Sequence, residues 1–344
     1  MSADASQEQV DAVVDRVESV GGQAFVSRGV VRTIVGLVGD ADRFHELNLH
    51  TLPGVTEVIR VSAPYKLVSR RLHDSRSVVL VGPPERQIPI GPGTFTLIAG
   101  PCAVESAEQT LGAARLAAAA GATMLRGGAF KPRTSPYAFQ GLGEDGLKIL
   151  ADVREATGLL VVTEVVEAGD VELVASYADM LQVGARNMQN FALLEGVGST
   201  GKPVMLKRGV QSTVEEWLLA AEYVAQRGNL DIVLCERGIR TFEPSTSSTL
   251  DVSAIPLAQQ LSHLPVIVDP SHACGRRELV VPLARAAIAA GADGLMVDVH
   301  PEPEYALVDG QQALAGADLR ELAAAVRQLP PMFGRCPAAV VAQS

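Results

Sequence analysis

From Thr94 onward one unit recurs along the chain: a short β-rich run, then a stretch with apolar residues at helical spacing. The runs cover 94–100, 123–130, 159–166, 178–185, 203–209, 232–238, 265–272 and 294–300. The intervening stretches are long enough for crossover helices. Val214, Trp217, Leu218, Ala221 and Val224, for example, fall on one helical face. Eight such units match the rhythm and the roughly 250-residue size of a closed (β/α)8 barrel, and an open doubly wound sheet is the competing arrangement. With 47% apolar and only 4% aromatic residues, the chain suits buried parallel strands under helices better than an aromatic-rich sandwich.

The first 70 residues read differently. The pattern predicts a helix over 7–20, strands over 23–27 and 31–37, a helix over 43–49 and a strand over 55–61. This αββαβ order describes a small ferredoxin-like α+β domain lacking its first strand, suited to regulation or assembly. The division expected is therefore a domain over 1–70, a linker over 71–93, a catalytic barrel over 94–330 and a loose tail over 331–344. The linker expectation rests on the Arg, Ser, Pro and Gly content of 69–93.

A formal charge of −10 argues against partners such as nucleic acid or an anionic membrane, because each requires a net basic footprint. Any bound anion must be held locally. The most apolar window, 279–297, contains Arg285 and Asp293, and the N-terminus is acidic without a signal-like apolar stretch. A soluble cytoplasmic protein is expected. Cys102, Cys235, Cys274 and Cys336 are too few and too widely spaced for a disulfide framework.

In a barrel, chemistry sits where strands run into the following loops. The strand ends here supply Cys102, Arg126, Lys131, Arg133, Glu164, Arg186, Lys207, Arg208, Glu236, Arg237, Asp269, His272, Asp298 and His300 in chain order. Strands ending at a surface explain some of this polarity, but not its sign. An acidic chain that puts Arg126, Lys131, Arg133, Arg186, Lys207 and Arg237 at one mouth builds a local positive field there. Such a field suits an anionic substrate with phosphate or carboxylate groups.

Cys102, His272, Asp298 and Asp309 follow the first, seventh and eighth strands, which become neighbours when the barrel closes. A thiolate, an imidazole and two carboxylates form a mixed ligand set suited to Mn, Fe, Co or Zn rather than to all-oxygen Mg or Ca sites. The run from Gly196 to Pro203 mimics a phosphate-binding loop, but Pro203 replaces the hydroxyl residue and the segment leads into a strand. It reads as a helix-to-strand turn. No glycine-rich dinucleotide fingerprint follows a strand, and the methionines read as core.

Taken together, the motifs Ile-Ala-Gly-Pro-Cys102-Ala-Val-Glu-Ser, Arg126-Gly-Gly-Ala-Phe-Lys131-Pro-Arg133-Thr134 and Gln-Val-Gly-Ala-Arg186-Asn-Met-Gln-Asn resemble a known family. Leu-Lys207-Arg-Gly, Cys-Glu-Arg237-Gly-Ile-Arg240 and Asp269-Pro-Ser-His272 complete the likeness, which extends over about 95–315. The chain is similar to the 3-deoxy-D-arabino-heptulosonate 7-phosphate (DAHP) synthases of the type I beta group. The resemblance implies an aldol-like condensation of phosphoenolpyruvate with erythrose 4-phosphate, at the entry to the shikimate pathway and aromatic amino-acid biosynthesis. It also implies a divalent metal, a homotetramer and an aromatic amino acid as effector.

Carried over, Cys102, His272 and Asp309 become metal ligands with Asp298 at the fourth position. Arg126, Lys131, Arg186, Lys207 and Arg237 hold phosphoenolpyruvate, while Arg133 and Thr134 meet the aldose phosphate. Lys-Pro-Arg-Thr favours the four-carbon acceptor, where the related octulosonate synthases resemble Lys-Ala-Asn-Arg. The metal polarises the aldehyde for attack by C3 of the enol phosphate, and Lys131 and Glu164 are the candidates for proton transfer, beside His272.

Four positions depart from the family pattern: Asp298 stands for a usual Glu, Ser247-Ser248 for Arg-Asn, and Tyr305 for Lys. These leave two alternatives. One is a paralogue condensing phosphoenolpyruvate with another aldose phosphate. The other is a catalytically silent anion-binding regulator, against which the intact set of mutually repelling cations argues.

Overall fold

The computed structural model describes residues 1–2, 4–28, 33–59, 64–133 and 135–339. The N-terminal unit opens with α1 (Gln7–Glu18), started by a capping box in which Ser6 accepts from the Gln9 backbone and Gln9 reaches back to Ser6. Its apolar face, Val10, Val13 and Val17, is buried. β1 (Gln23–Arg28) and β2 (Thr33–Val38) pair antiparallel with Gln23 opposite Val38, and α2 (Ala41–Glu46) follows. The helix expected over 43–49 thus starts earlier and gives way to a single tight turn at Leu49–Thr51. The strand expected over 55–61 does not form over 55–59, where the chain has no strand partner among the described residues, and 60 and 61 lie outside the described residues.

Within 71–93 the chain is more than a linker. β3 (Val79–Val81) and β4 (Ile88–Ile90) form an antiparallel hairpin around Gly82-Pro83-Pro84. Val79, Val81, Ile88 and Ile90 are buried against Ile98, Met124, Leu160, Met180 and Met296 in the barrel interior. The hairpin plugs the end at which the strands begin, as burial of four large apolar side chains demands.

The barrel then alternates β5 (Thr94–Gly100), α3 (Ala107–Ala119), β6 (Met124–Arg126), α4 (Glu144–Thr157), β7 (Leu160–Val165), α5 (Val171–Tyr177), β8 (Met180–Val183) and α6 (Phe191–Ser199). It continues with β9 (Val204–Lys207), α7 (Val214–Ala225), β10 (Ile232–Glu236), α8 (Ala254–Leu261), β11 (Val266–Val268), α9 (Pro270–Cys274), α10 (Arg277–Ala289), β12 (Gly294–Asp298) and α11 (Gly316–Met332). Strands β5 to β12 pair in sequence, all parallel, and β12 returns to β5. Most strands stop short of the expected runs, because their last residues leave the ladder to build the mouth. The closing register sets Asp298 beside Gly100, two residues before Cys102.

Two seams fix the outside. Glu222 of α7 accepts backbone N–H groups of Lys66, Leu67 and Val68 at 2.8, 2.8 and 3.0 Å. His263, before β11, stacks on His73 with ring centroids 3.5 Å apart. Beyond α11 the tail is not wholly loose: β13 (Cys336–Pro337) pairs with Thr94 and Phe95 of β5. Residues 340–344 lie outside the described residues.

Candidate active site

At the mouth, the strand ends and following loops bring together what the sequence scatters. Cys102, His272, Asp298 and Asp309 each offer a donor atom, and all four lie within 4.8 Å of one another. Cys102 Sγ is 3.7 Å from His272 Nε2 and 3.1 Å from Asp309 Oδ2, and His272 Nε2 is 3.8 Å from Asp309 Oδ2. Metal–ligand bonds of about 2.0–2.3 Å in a tetrahedron place donors about 3.6 Å apart, so these three separations fit a common ion. Asp298 approaches the other imidazole nitrogen, with Oδ2 3.7 Å from His272 Nδ1.

Arg126, Lys131, Arg133, Glu164, Arg186, Lys207, Arg237, His272 and Asp309 line one cavity of about 320 Å³. Thr134 lies outside the described residues. Lys131 Nζ donates to the Cys102 carbonyl at 3.1 Å and to its sulfur at 3.2 Å. Arg237 is braced by the Ser248 hydroxyl at 3.1 Å and by the His272 carbonyl at 2.9 Å. Ser248 therefore supports the cation. Arg126 pairs with Asp298, while its buried Nε has no hydrogen-bond partner among the described residues.

The cations are neutralised from below. Asp269 ion-pairs with Lys207 and stands 2.9 Å from His272 Nδ1, an ionic contact outside hydrogen-bond alignment. Burial pulls the His272 imidazole down, but Asp269 and Asp298 outweigh it and push it up to about 9. Burial alone would raise the Asp269 carboxyl, yet His272 and Lys207 hold it well below the usual range. The Asp309 carboxyl is likewise held low, against burial, by His272 and the Cys102 contact.

Glu164 receives the amide of Gln182 at 3.2 Å. It sits where only glycine leaves room: a Cβ at Gly184 would fall 2.0 Å from Glu164 Oε1. The Gly-Ala-Arg186 turn thus leaves room for the Glu164 carboxylate, and Glu164 and Arg186 line the same cavity.

Residues 73–333 match the DAHP synthetase I family and residues 1–63 the DAHP synthase ferredoxin-like domain. The chain belongs to the DAHP synthetase I family. The phospho-2-dehydro-3-deoxyheptonate aldolase of Thermotoga maritima is 50% identical over 334 residues, 96% of either chain. A crystal structure of the phospho-2-dehydro-3-deoxyheptonate aldolase (DAHP synthase) of that organism superposes with a TM-score of 0.77 at 48% identity, covering 98% of this chain and 97% of that one. A 2-dehydro-3-deoxyphosphooctonate aldolase of Syntrophotalea carbinolica is 36% identical over 236 residues, 63% of this chain and 84% of its own.

For a DAHP synthetase I family member, some functional residues are hard to see in the sequence. Asp269 is central, and its signal is local: in Asp269-Pro-Ser-His272 the carboxylate caps α9, accepting the His272 N–H at 2.9 Å. Gln312 gives no such signal. Its amide holds Asp298 Oδ2 at 2.6 Å across a loop. Arg208 turns away from the cavity into a network, donating to Glu236 and Asp251 at 2.9 Å each, which props the Arg237 loop. Among the described residues, no helix is long and apolar enough to cross a membrane.

Proposed function

We propose that this chain condenses phosphoenolpyruvate with erythrose 4-phosphate to DAHP and inorganic phosphate. The observation that carries the reading is a cationic cavity abutting a thiol, imidazole and carboxylate cluster in a chain of net negative charge. Arg126, Lys207, Arg237, Arg186 and Lys131 are suited to the phosphate and carboxylate of phosphoenolpyruvate. The buried, unpartnered Nε of Arg126 is a donor in want of an acceptor. Arg133, with Thr134, is assigned to the aldose phosphate.

The donor set fits a divalent metal of the Mn, Fe, Co or Zn type, held by Cys102, His272 and Asp309 with Asp298 at the fourth position. When bound, such an ion supplies Lewis acidity to the aldehyde oxygen. The protein's own groups do the rest. Cations on both substrates hold C3 of the enol phosphate against the aldehyde carbon. As that carbon–carbon bond forms, Lys131 delivers a proton toward the new hydroxyl. Glu164 takes a proton from the water that adds at C2, and the bond from C2 to the phosphate oxygen then breaks as the C2 hydroxyl passes its proton to the departing phosphate, leaving a ketone and hydrogen phosphate.

The family resemblance also carries a homotetramer, a cytoplasmic setting and an aromatic effector. A free Cys102 thiol suits a reducing compartment. An apolar cavity of about 430 Å³ beside Ile34, Leu37, Phe44 and Val58 suits an aromatic side chain. The test is phosphate release from phosphoenolpyruvate with erythrose 4-phosphate or with arabinose 5-phosphate, after chelation and after add-back of each metal. Turnover with the four-carbon acceptor, lost on chelation and restored by metal, supports the reading. Turnover with neither acceptor at full metal occupancy ends it.

A further inference from the structure

The loop that carries Asp309 is held against the loop that carries Cys102 by a side chain the chemistry above does not use. Glu105 follows Cys102 by three residues, and its side chain is nearly buried. Its Oε1 accepts the backbone N–H of Leu307 at 2.9 Å, two residues before Asp309. Its Oε2 lies 3.5 Å from His300 Nε2. His300 Nδ1 accepts the Glu302 N–H at 3.0 Å, so the ring proton resides on Nε2 and points at Glu105. The carboxylate therefore receives two donors, both from the loop after β12.

Between these contacts and the cluster, Val308 packs on Cys102 and Ala103. Next comes Asp309, whose φ of +55° is left-handed. Aspartate tolerates that conformation better than most non-glycine residues, yet it still costs free energy that the contacts on either side offset. After Asp309 the loop is pinned separately, by Arg277 on the Gly310 and Gln311 carbonyls at 3.1 and 3.0 Å. Asp309 is thus suspended between two anchors, and Glu105 supplies the charged tie between its loop and the segment that bears Cys102, beside the Val308 packing and the direct contact of Cys102 with Asp309.

We propose that Glu105 is a positioning residue that sets the separation of Cys102 and Asp309 and so the metal affinity of the cluster. This rests on the metal reading above. Removing the carboxylate frees Leu307 and lets Asp309 relax from its left-handed backbone, which widens the site without deleting a ligand. Groups that orient metal ligands from behind are typically worth about 10–100-fold in affinity.

The experiment titrates the metal-free full-length protein with Co(II) under anaerobic conditions, following thiolate-to-cobalt absorption, with Cys102→Ser to show that the band reports this site. Glu105→Ala should weaken Co(II) by about tenfold or more. Glu105→Gln keeps an acceptor for Leu307 but sets an amide donor against the His300 proton, and should fall between. In an Asp309→Asn background, Glu105→Ala should change the affinity less than about twofold, because nothing remains for it to position. Wild-type affinity in both Glu105 variants overturns the proposal. Equal weakening in both backgrounds overturns it too, since a general loosening does not depend on Asp309. A wild-type protein that shows no thiolate band with Co(II) ends the metal reading, and this inference with it.

Discussion

Gly184→Ala displaces Glu164 without removing it. The Gly184 backbone has φ −72° and ψ 161°, where alanine is unstrained, and losing a glycine stiffens the unfolded chain in favour of folding. The one consequence is steric. The new Cβ would lie 2.0 Å from Glu164 Oε1, and a comfortable contact is about 3.5 Å, so the carboxylate retreats by about 1.5 Å. A misplacement of about 1 Å in a reacting group costs about 10²-fold. Steady-state phosphate release should therefore show kcat down by about two orders of magnitude, with an unfolding midpoint no lower than that of the wild type. In a Glu164→Ala background the same substitution should do nothing further. Wild-type turnover in Gly184→Ala, or an equal loss in both backgrounds, would refute the claim that Glu164 acts from this position.

Burial, His73 and Arg70 hold His263 down at about 3, against about 6.5 when unfolded. Its contribution is therefore complete above pH 6.5 and drains away as acid charges the unfolded state, about 2 kcal/mol by pH 5. Urea unfolding followed by the single Trp217 should show His263→Gln losing that much less than wild type between pH 7 and pH 5, and parallel profiles would sink the assignment. Asp269→Asn leaves Lys207 buried without its counter-charge, a loss of about 3–5 kcal/mol read as a lower urea midpoint. An unchanged midpoint would mean the pair is not held in solution. Lys131→Ala should cut kcat by about 10²–10⁴-fold, and intact turnover would remove Lys131 from proton transfer.

What the sequence discloses, and what it hides, divides along a physical line. The eight βα units are legible because burial on both faces of a parallel strand forces unbroken apolar runs, and those runs repeat. The hairpin of β3 and β4 is hidden by its own composition. Its strands are three residues each, set among Pro, Gly and Arg, so the apolar alternation is too short to outweigh the turn signals. The third strand expected in the N-terminal unit fails over 55–59 for the opposite reason: Val55, Val58 and Ile59 are β-prone, but they have no strand partner among the described residues, and propensity alone does not make a strand.

The site divides in the same way. Cys102, His272, Asp298 and Asp309 could be brought together from the sequence because ring closure is a topological consequence of eight units, and the register of Asp298 on Gly100 is that consequence realised. The residues that aim them could not. Gln312 holds Asp298, Arg208 props the Arg237 loop and Glu105 reaches Leu307 across 202 residues of chain. Each of these contacts depends on where loops of variable length come to rest, which no periodicity encodes. Asp269 is the instructive intermediate. As a cap on α9 it is readable from a four-residue motif, but as counter-ion to Lys207 and His272 it is visible only once β9 and β11 lie on either side of β10. The identity of the reacting groups is therefore a property of sequence plus topology, while their strength, set by what holds and neutralises them, belongs to the packed structure alone.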